Sequence, residues 1–382
     1  MKVINRKIVI INQAVNYLTI GICNEFSNQF ENVALVTGSI HVQGEELNKN
    51  IKVTYINKWK EEHGFSKAFN YLKALLSMWY LLMTKYRKYE VFFISVPPMA
   101  YLLNIFLPHR FSMLIWDVFP DSLKITGMKE THPVYRIWAW LNKKSFKKSF
   151  RLITIGDKMA DLLTRYIHRE KISIQPIWSI FQSNDKISKE KNPFIKQHEL
   201  KDKFIVQYSG NIGLTHKVET MVVLAERMKK HHHILFQIIG RGPRKKKLQR
   251  LVAKKNLKNC QFLPFQSDEM FPYSLSAADV GVVILDEATS KGSVPSKSYN
   301  LMSYGIPSVY IASSDSELQN YTDKYNHAKC FTESELDDAE KFILSLSEDK
   351  SYYQLLSKNS TMAALNFKRD NAKKIIYSYM LD

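Results

Sequence analysis

Short apolar runs alternate with longer amphipathic stretches along most of the chain. In the first half, Ile8–Ile11, Ala34–Thr37, Lys52–Ile56, Val91–Ser95, Met113–Trp116, Leu152–Ile155 and Ile172–Pro176 have the length and composition of β-strands. Helical patterns lie between several of them, notably Phe65–Tyr86 and Pro133–Ser149. Such βα alternation predicts a parallel sheet with helices on both faces. Residues Phe181–Leu200 break the rhythm. They are polar, lysine-rich and contain Pro193, and read as an interdomain linker. A second series follows: strands at Phe204–Tyr208, Ile234–Ile239, Gln261–Leu263, Val280–Leu285 and Ser308–Ile311. Helices are expected near His216–Lys230, Pro243–Lys255, Glu269–Ala277 and Ser296–Tyr304, and throughout the tail, Asp349–Asp382. The expected organisation is α/β: two doubly wound domains facing a cleft, 1–190 and 204–360, joined by a linker at 191–203. A C-terminal helix at 361–382 is expected to pack back on the first domain.

A chain of 382 residues exceeds the usual single core, which fits two domains. Cys23, Cys260 and Cys330 are few, odd in number and widely spaced. They argue against a disulfide framework or a zinc motif and fit a reducing cytoplasm. Met1–Asn12 lacks the apolar core and cleavage site of a signal peptide. The apolar stretch Tyr71–Met83 is interrupted by Lys73 and is shorter than the ~20 residues a spanning helix needs, so no transmembrane segment is predicted.

Charge narrows the partners. The formal net charge is +19, and residues 1–192 hold 28 Lys and Arg against 15 Asp and Glu. A basic first half implies an anionic partner: nucleic acid, an anionic membrane surface or a polyphosphate substrate. No nucleic-acid-binding module is recognisable, so nucleic acid is not expected. His231, His232 and His233 suggest metal but have no partner cluster, and no D-x-D motif occurs. No metal or cofactor is expected.

In open α/β sheets, ligands bind outside the carboxyl ends of strands. Three post-strand loops therefore carry the candidate chemistry. In Ser293–Pro307, Pro295 suits the first turn of a helix, Ser293 or Ser296 can cap it, and Gly305-Ile306-Pro307 ends it. That helix start, with its free N–H groups beside Lys297, suits a phosphate or diphosphate, although an ordinary loop-to-helix junction reads the same way. Ser209-Gly210-Asn211-Ile212-Gly213 is either a tight structural turn or a loop whose backbone approaches a ligand. It is neither G-x-G-x-x-G nor a P-loop. In Gly240-Arg241-Gly242-Pro243, Arg241 either reaches a phosphate or is solvated. Three such loops at one end of one sheet point to a phosphate-bearing ligand.

Y-S-G-N-I-G, I-I-G-R-G-P, A-A-D-V-G-V-V-I-L and V-P-S-K-S-Y-N-L-M-S-Y-G-I-P-S-V occur in the order seen in family 4 glycosyltransferases of the GT-B fold. The second half resembles that family over most of its length. The first half resembles it more loosely, through I-W-D-V-F-P-D (Ile115–Asp121) and I-T-I-G-D-K-M (Ile153–Met159). The features look most like bacterial sugar transferases of capsule, exopolysaccharide or O-antigen assembly. The resemblance implies two Rossmann-like domains, with a nucleotide-sugar donor, expected to be UDP-linked, held by the second. Gly210, Asn211 and Gly213 would line the diphosphate and the Arg241 loop would approach the nucleotide. Phe265 would lie beside the base, and Ser296 and Lys297 would meet the diphosphate or ribose. The family typically has two glutamates eight positions apart around the last loop. Gly292 and Asn300 stand there in this chain, so that Asn300 could hydrogen-bond a ribose or sugar hydroxyl but brings no charge. The family's Arg and Lys after the first glycine are likewise missing, with Asn211 and His216 nearest. The resemblance also implies retention of anomeric configuration and a lipid-linked saccharide acceptor.

Asp117 ends an apolar strand in Trp116-Asp117-Val118-Phe119-Pro120-Asp121. With the resemblance, it is read as a cleft carboxylate that orients an acceptor hydroxyl or takes its proton; a turn or capping role before Pro120 is the alternative. Asp121 is expected to cap the next helix. Lys67, Lys73, Lys85, Arg87 and Lys88 accompany Trp79 and Tyr80, and Arg136, Lys143, Lys144, Lys147 and Lys148 accompany Trp138 and Trp140. Such helices either lie on an anionic membrane or pack a core with a solvated basic face. The lipid-linked acceptor favours the membrane, hence an enzyme peripheral at the cytoplasmic face. The rival readings are an epimerase of the same architecture, a nucleic-acid binder and a non-catalytic partner in a polysaccharide complex.

Overall fold

The computed structural model describes residues 4–58, 65–182, 186–213 and 216–381. The chain divides into two compact units, Met1–Ile180 with Arg369–Asp382, and Phe181–Lys368.

The first unit holds β1 (Ile4–Ile11), β2 (Ala14–Val15), β3 (Phe30–Thr37), β4 (Ser39–Ile40), β5 (Lys52–Tyr55), β6 (Glu90–Ile94), β7 (Phe111–Ile115), β8 (Arg151–Thr154) and β9 (Ile172–Ile174). Seven of these form one sheet in the order β5-β3-β1-β6-β7-β8-β9, while β2 and β4 pair separately. All the pairings are parallel; Ile10, for example, stands opposite both Leu35 and Phe92. The helices are α1 (Tyr17–Gln29), α2 (Phe65–Met83), α3 (Pro133–Lys148) and α4 (Asp157–Leu163). Ile8–Ile11 is apolar without alternation because both faces of a parallel sheet are covered.

The second unit contains α5 (Pro193–Gln197), β10 (Phe204–Ser209), α6 (Glu219–Arg227), β11 (Ile234–Ile239), α7 (Lys245–Lys254), β12 (Cys260–Leu263), α8 (Phe271–Ser276) and β13 (Val280–Ile284). It continues with α9 (Ser296–Ser303), β14 (Ser308–Ile311), α10 (Glu317–Tyr325), β15 (Ala328–Phe331), α11 (Leu336–Glu348) and α12 (Lys350–Ala364). Its parallel sheet runs β12-β11-β10-β13-β14-β15. The chain thus winds outward in one direction from β10 to β12, then reverses through β13. The reversal between β10 and β13 is the topological switch point, where a crevice opens outside the strand ends. Val206, Phe236, Ile238 and Val282 form the centre of the core.

The stretch expected as a linker, 191–203, is instead part of the second unit, and residues 183–185 of the wider polar segment lie outside the described residues. Its lysines are surface residues, but Phe194, Ile195 and Leu200 are buried against Ile205 and Leu235. Asn192 caps α5 by accepting from the Phe194 and Ile195 N–H groups. The tail is not one helix. It breaks after α12, Phe367 packs on Tyr299 and Tyr321 in the second unit, and α13 (Asn371–Met380) belongs to the first. There Tyr379 meets Phe26 edge-on, and Arg369 donates to Glu45 at 2.6 Å and to Glu25 at 3.2 Å. Among the described residues, no helix is long and apolar enough to cross a membrane.

Candidate functional site

The candidate site is built at the β10/β13 switch point. Gly210 follows β10, and Gly240-Arg241-Gly242 follows β11. The two loops lie backbone on backbone: the Gly210 N–H donates to the Ile239 carbonyl at 2.9 Å and the Ile212 N–H to the Arg241 carbonyl at 2.8 Å. Lys245 ties down their base, its ammonium donating to the Gly240 and Leu263 carbonyls at 2.9 Å each. Gly210 has φ +146, and a Cβ there would stand 2.3 Å from Lys297 Cε. The bare face of this glycine is therefore the surface over which the Lys297 stem runs.

Lys297 is the second residue of α9. Its ammonium donates to the Tyr208 hydroxyl at 2.8 Å and sits 4.2 Å from the centre of that ring. The hydroxyl in turn donates to the Asn211 carbonyl at 2.6 Å. Among the described residues, no carboxylate forms an ion pair with Lys297. The side chain keeps some open surface, yet the protein around it removes enough solvent to push the amine down to about 7. His216 lies nearby and is pushed to about 4, first by burial and then by the Lys297 charge. Its Nδ1 lies 2.8 Å from the Ile284 carbonyl. A carbonyl only accepts, so Nδ1 carries the proton and His216 is a neutral imidazole.

Neither Ser293 nor Ser296 caps α9. The N-cap is Pro295, in extended conformation and without a capping side chain, and Ser293 lies at the end of the preceding short turn. Proline offers no side-chain acceptor, so the Ser296 and Lys297 N–H groups keep their capacity for an anion, while the Ser298 N–H donates to the Pro295 carbonyl at 3.1 Å. Asn300 is buried, and with Lys297, Gln207 and Ser209 it lines a cavity of ≈ 20 Å³, room for about one water. Gly292, the other expected glutamate position, is buried in the turn before α9 and offers no side chain. On the other flank the Arg241 guanidinium lies 5.0 Å from the centre of the Phe265 ring, which is 57% exposed. This is an open aromatic shelf with a cation on it. Asn211 is exposed, and its side chain lies against the Gly213 backbone. Residues 214–215 of this loop lie outside the described residues.

Gly210, Asn211, Gly213, Arg241, Phe265, Ser296, Lys297 and Asn300 all belong to the second unit, at the carboxyl edge of its sheet. Two contributors escaped the sequence reading: Tyr208, the platform for Lys297, and Lys245, the clamp beneath the glycine loops. Tyr208 reads as a buried core residue. Only its place next but one to the glycine loop marked it.

Asp117 belongs to the first unit, just past β7, where the Trp116 N–H donates to Ser95 Oγ at 2.8 Å. Its carboxylate has open surface, yet surrounding protein restricts its solvation and raises it to about 7. Asp121 does not cap the short turn it opens, whose N-cap is Pro120 without a side-chain bond. It is 4% exposed and is an acceptor for the Tyr135 hydroxyl at 2.7 Å, the Tyr166 hydroxyl at 2.5 Å and Arg165 at 2.9 Å. Asp121→Ala leaves the Tyr135 and Tyr166 hydroxyls only each other and half-frees a guanidinium that keeps only Glu130. A loss of roughly 3 kcal/mol is expected, read as a lower urea midpoint for the transition of the first unit. An unchanged midpoint would contradict this role.

His231 and His233 have ring centres 6.3 Å apart, and among the described residues no group of three or more His, Cys, Asp or Glu could hold a metal ion.

Residues 188–362 match the family described as "Glycosyl transferases group 1". The chain is 28% identical over 162 residues to the putative colanic acid biosynthesis glycosyl transferase WcaI of Escherichia coli, covering 42% of this chain and 40% of that protein. It is 26% identical over 229 residues to the probable glycosyltransferase WbjE of Pseudomonas aeruginosa, covering 58% and 56%. The chain thus spans about half the length of these curated relatives. Anabaena HepE, crystallised with UDP and glucose, shares the fold with a TM-score of 0.74 over 98% of this chain and 99% of its own, at 12% identity. The matched segment, 188 to 362, is just under half of this chain and holds the three loops and Lys297.

Proposed function

We propose that the chain is a glycosyltransferase of surface polysaccharide assembly. It moves a sugar from a nucleotide diphosphate donor, a UDP-sugar, onto a lipid-linked glycan. One observation carries this reading: an ammonium that has no carboxylate partner among the described residues lies over a bare glycine face, at an uncapped helix start, at a switch point. The names of WcaI and of the UDP-bound HepE support it. The α9 N–H groups and Lys297 would hold the diphosphate, with the Gly210 to Gly213 backbone along it and Ser296 near the ribose or diphosphate. Arg241 and Phe265 would flank the nucleotide base, and Asn300 would meet a ribose or sugar hydroxyl.

In the reaction, the bond between the anomeric carbon and the β-phosphate oxygen breaks as the acceptor oxygen bonds to that carbon on the same face. The acceptor proton passes to the departing phosphate, giving UDP and the glycosylated acceptor with retained configuration. Asp117 would orient the acceptor hydroxyl. Its raised carboxyl leaves both protonation forms populated near neutrality. The leaving charge is met by protein cations and a helix dipole, with no metal required.

The acceptor's lipid places the enzyme at the cytoplasmic face of a membrane, and two helices of the first unit suit that surface. In α2, Ala74, Met78 and Leu82 are buried, while Phe69, Leu72, Leu76, Trp79, Tyr80 and Met83 form an exposed second apolar stripe. The side chain of Lys67 lies outside the described residues. In α3, Val134, Ile137 and Trp140 are exposed and the Lys144 ammonium lies 3.6 Å from the centre of the Trp140 ring. Apolar stripes edged with lysine suit anionic lipid.

UDP-sugars supplied with membrane extract from the source should yield UDP in an acceptor-dependent manner. Leu76→Glu with Trp79→Glu should preserve UDP affinity and lose transfer to vesicle-borne acceptor. Turnover without acceptor would instead favour an epimerase, and absence of release with every nucleotide sugar would overturn the transferase reading.

A further inference from the structure

The first unit carries a second candidate site that the proposed reaction does not use. A recess of ≈ 740 Å³ opens at the amino-terminal edge of its sheet, where β8 begins at Arg151 and β9 at Ile172. Asp117 follows the carboxyl end of β7, so in this parallel sheet the recess lies at the opposite edge. Its volume is that of an ordinary ligand pocket, about 300–1,000 Å³.

The lining is strongly cationic. Lys143 and Lys147 come from α3, joined by Arg151, Arg165 and Lys171, and among the described residues the one carboxylate in the wall is Glu170. Arg165 is already neutralised by Asp121 and Glu130. Among the described residues, no ion pair neutralises Lys143, Lys147, Arg151 or Lys171. Exposed lysines alone would be a solvated surface. Arg151 is different, because its Nε and Nη2 are closed to water and have no hydrogen-bond partner. Its guanidinium rests 4.4 Å from the centre of the Phe150 ring, which also carries Arg110 at 3.4 Å. Arg110 has Glu90 at 3.8 Å as counter-charge. A partly desolvated guanidinium without an anion is unfavourable; Arg151 lines the recess, and a small shift of its side chain would bring the two closed, unpaired donors to an anion held there.

We propose that this recess binds a phosphate group. A planar arginine fork backed by lysines matches the charge and geometry of phosphate better than those of a single carboxylate. The phosphate could be borne by a lipid head group or by a soluble metabolite. Lys143 and Lys147 follow Ile137 and Trp140 on the same helix, which brings the lipid source within the same surface.

The full chain carrying Lys297→Met, which weakens the candidate site of the second unit, is titrated calorimetrically with inorganic pyrophosphate. Binding is expected, weakened about tenfold or more by Arg151→Gln and by Lys143→Gln with Lys147→Gln. Pyrophosphate should raise the Tm of the parent and not that of either variant. Phosphatidylcholine vesicles with and without phosphatidylglycerol separate the sources. Loss of phosphatidylglycerol-dependent binding in Arg151→Gln assigns the lipid, and unchanged vesicle binding with lost pyrophosphate binding assigns a soluble phosphate. If the parent fails to bind pyrophosphate, or the double lysine variant binds it like the parent, the proposal fails. A lower Tm in Arg151→Gln with pyrophosphate affinity intact would show a packing role instead, and also overturns it.

Discussion

Replacing Lys297 by Met should lower kcat/KM for the nucleotide sugar by about 10²–10³-fold. The donor's diphosphate leaves with negative charge, and Lys297 is the ammonium on the bare face of Gly210 with no carboxylate partner among the described residues. A charge pair at about 4 Å near a protein surface is worth roughly 4 kcal/mol, which sets the upper end of that range. The substitution should leave the fold intact, because the Tyr208 hydroxyl keeps its bond to the Asn211 carbonyl. The same lysine makes a pH prediction. Burial holds the free amine at about 7, so above that pH a falling fraction of the enzyme presents the charge. Diphosphate favours the charged form, so binding takes up a proton and UDP affinity should fall as pH rises from about 7 to 9, by up to about tenfold per unit. Calorimetric titration of wild type and Lys297→Met across that range decides it. The variant should bind weakly and without this slope. A flat wild-type profile, or a variant with wild-type kcat/KM, removes Lys297 from the reaction.

How much of this was legible in the sequence depends on whether local pattern or tertiary contact decided each element. The strands of both sheets stood out because a doubly covered parallel strand is a continuous apolar run, as in Ile8–Ile11 and Ile234–Ile239. By contrast, α1 was invisible. Its residues, with Gly21, Cys23 and Thr19 among them, are poor helix formers, and Leu18 through Phe26 are buried. Packing overrides propensity there, and Asn16, whose side chain accepts from the Leu18 and Thr19 N–H groups, is the local signal that remained. The segment α10, β15 and α11 was passed over for a related reason. Its strand, Ala328–Phe331, is short, and its two middle residues, Lys329 and Cys330, are less buried than its ends.

The site divides in the same way. Glycines after strands and a lysine after a proline are visible at once, since few roles need them there. Tyr208 and Lys245 act through distance alone, one under an ammonium 89 positions away and the other on a carbonyl 18 positions away. Asp121 was misassigned because an aspartate at a turn resembles a cap. Its partners Tyr135, Tyr166 and Arg165 come from elements that only the fold brings together.

The second large effect is expected at Gly240, and it concerns the architecture that presents Lys297. Gly240 has φ +155, and a Cβ there would stand 1.9 Å from the Gly210 carbonyl oxygen. That oxygen belongs to backbone held by the Gly210–Ile239 hydrogen bond, so no flexible side chain can yield. Gly240→Ala therefore adds a steric conflict to an unfavourable φ, together about 3–5 kcal/mol. Against a typical total of about 5–15 kcal/mol this is enough to deplete the folded second unit. Gly44→Ala is the matched control: φ is +79 but nothing lies within 4 Å of the new Cβ, so only the conformational cost of about 1–2 kcal/mol remains. Urea unfolding of the two variants separates the causes. If they lose similar stability, the contact between the two glycine loops is not what fixes Gly240. If Gly240→Ala keeps wild-type stability and loses UDP binding alone, the loop is a contact surface for ligand and not a structural joint. The expected result lies between these limits: a large loss of stability in Gly240→Ala, with whatever protein remains folded binding UDP more weakly, because Gly210 must move away and the Lys297 stem moves with it.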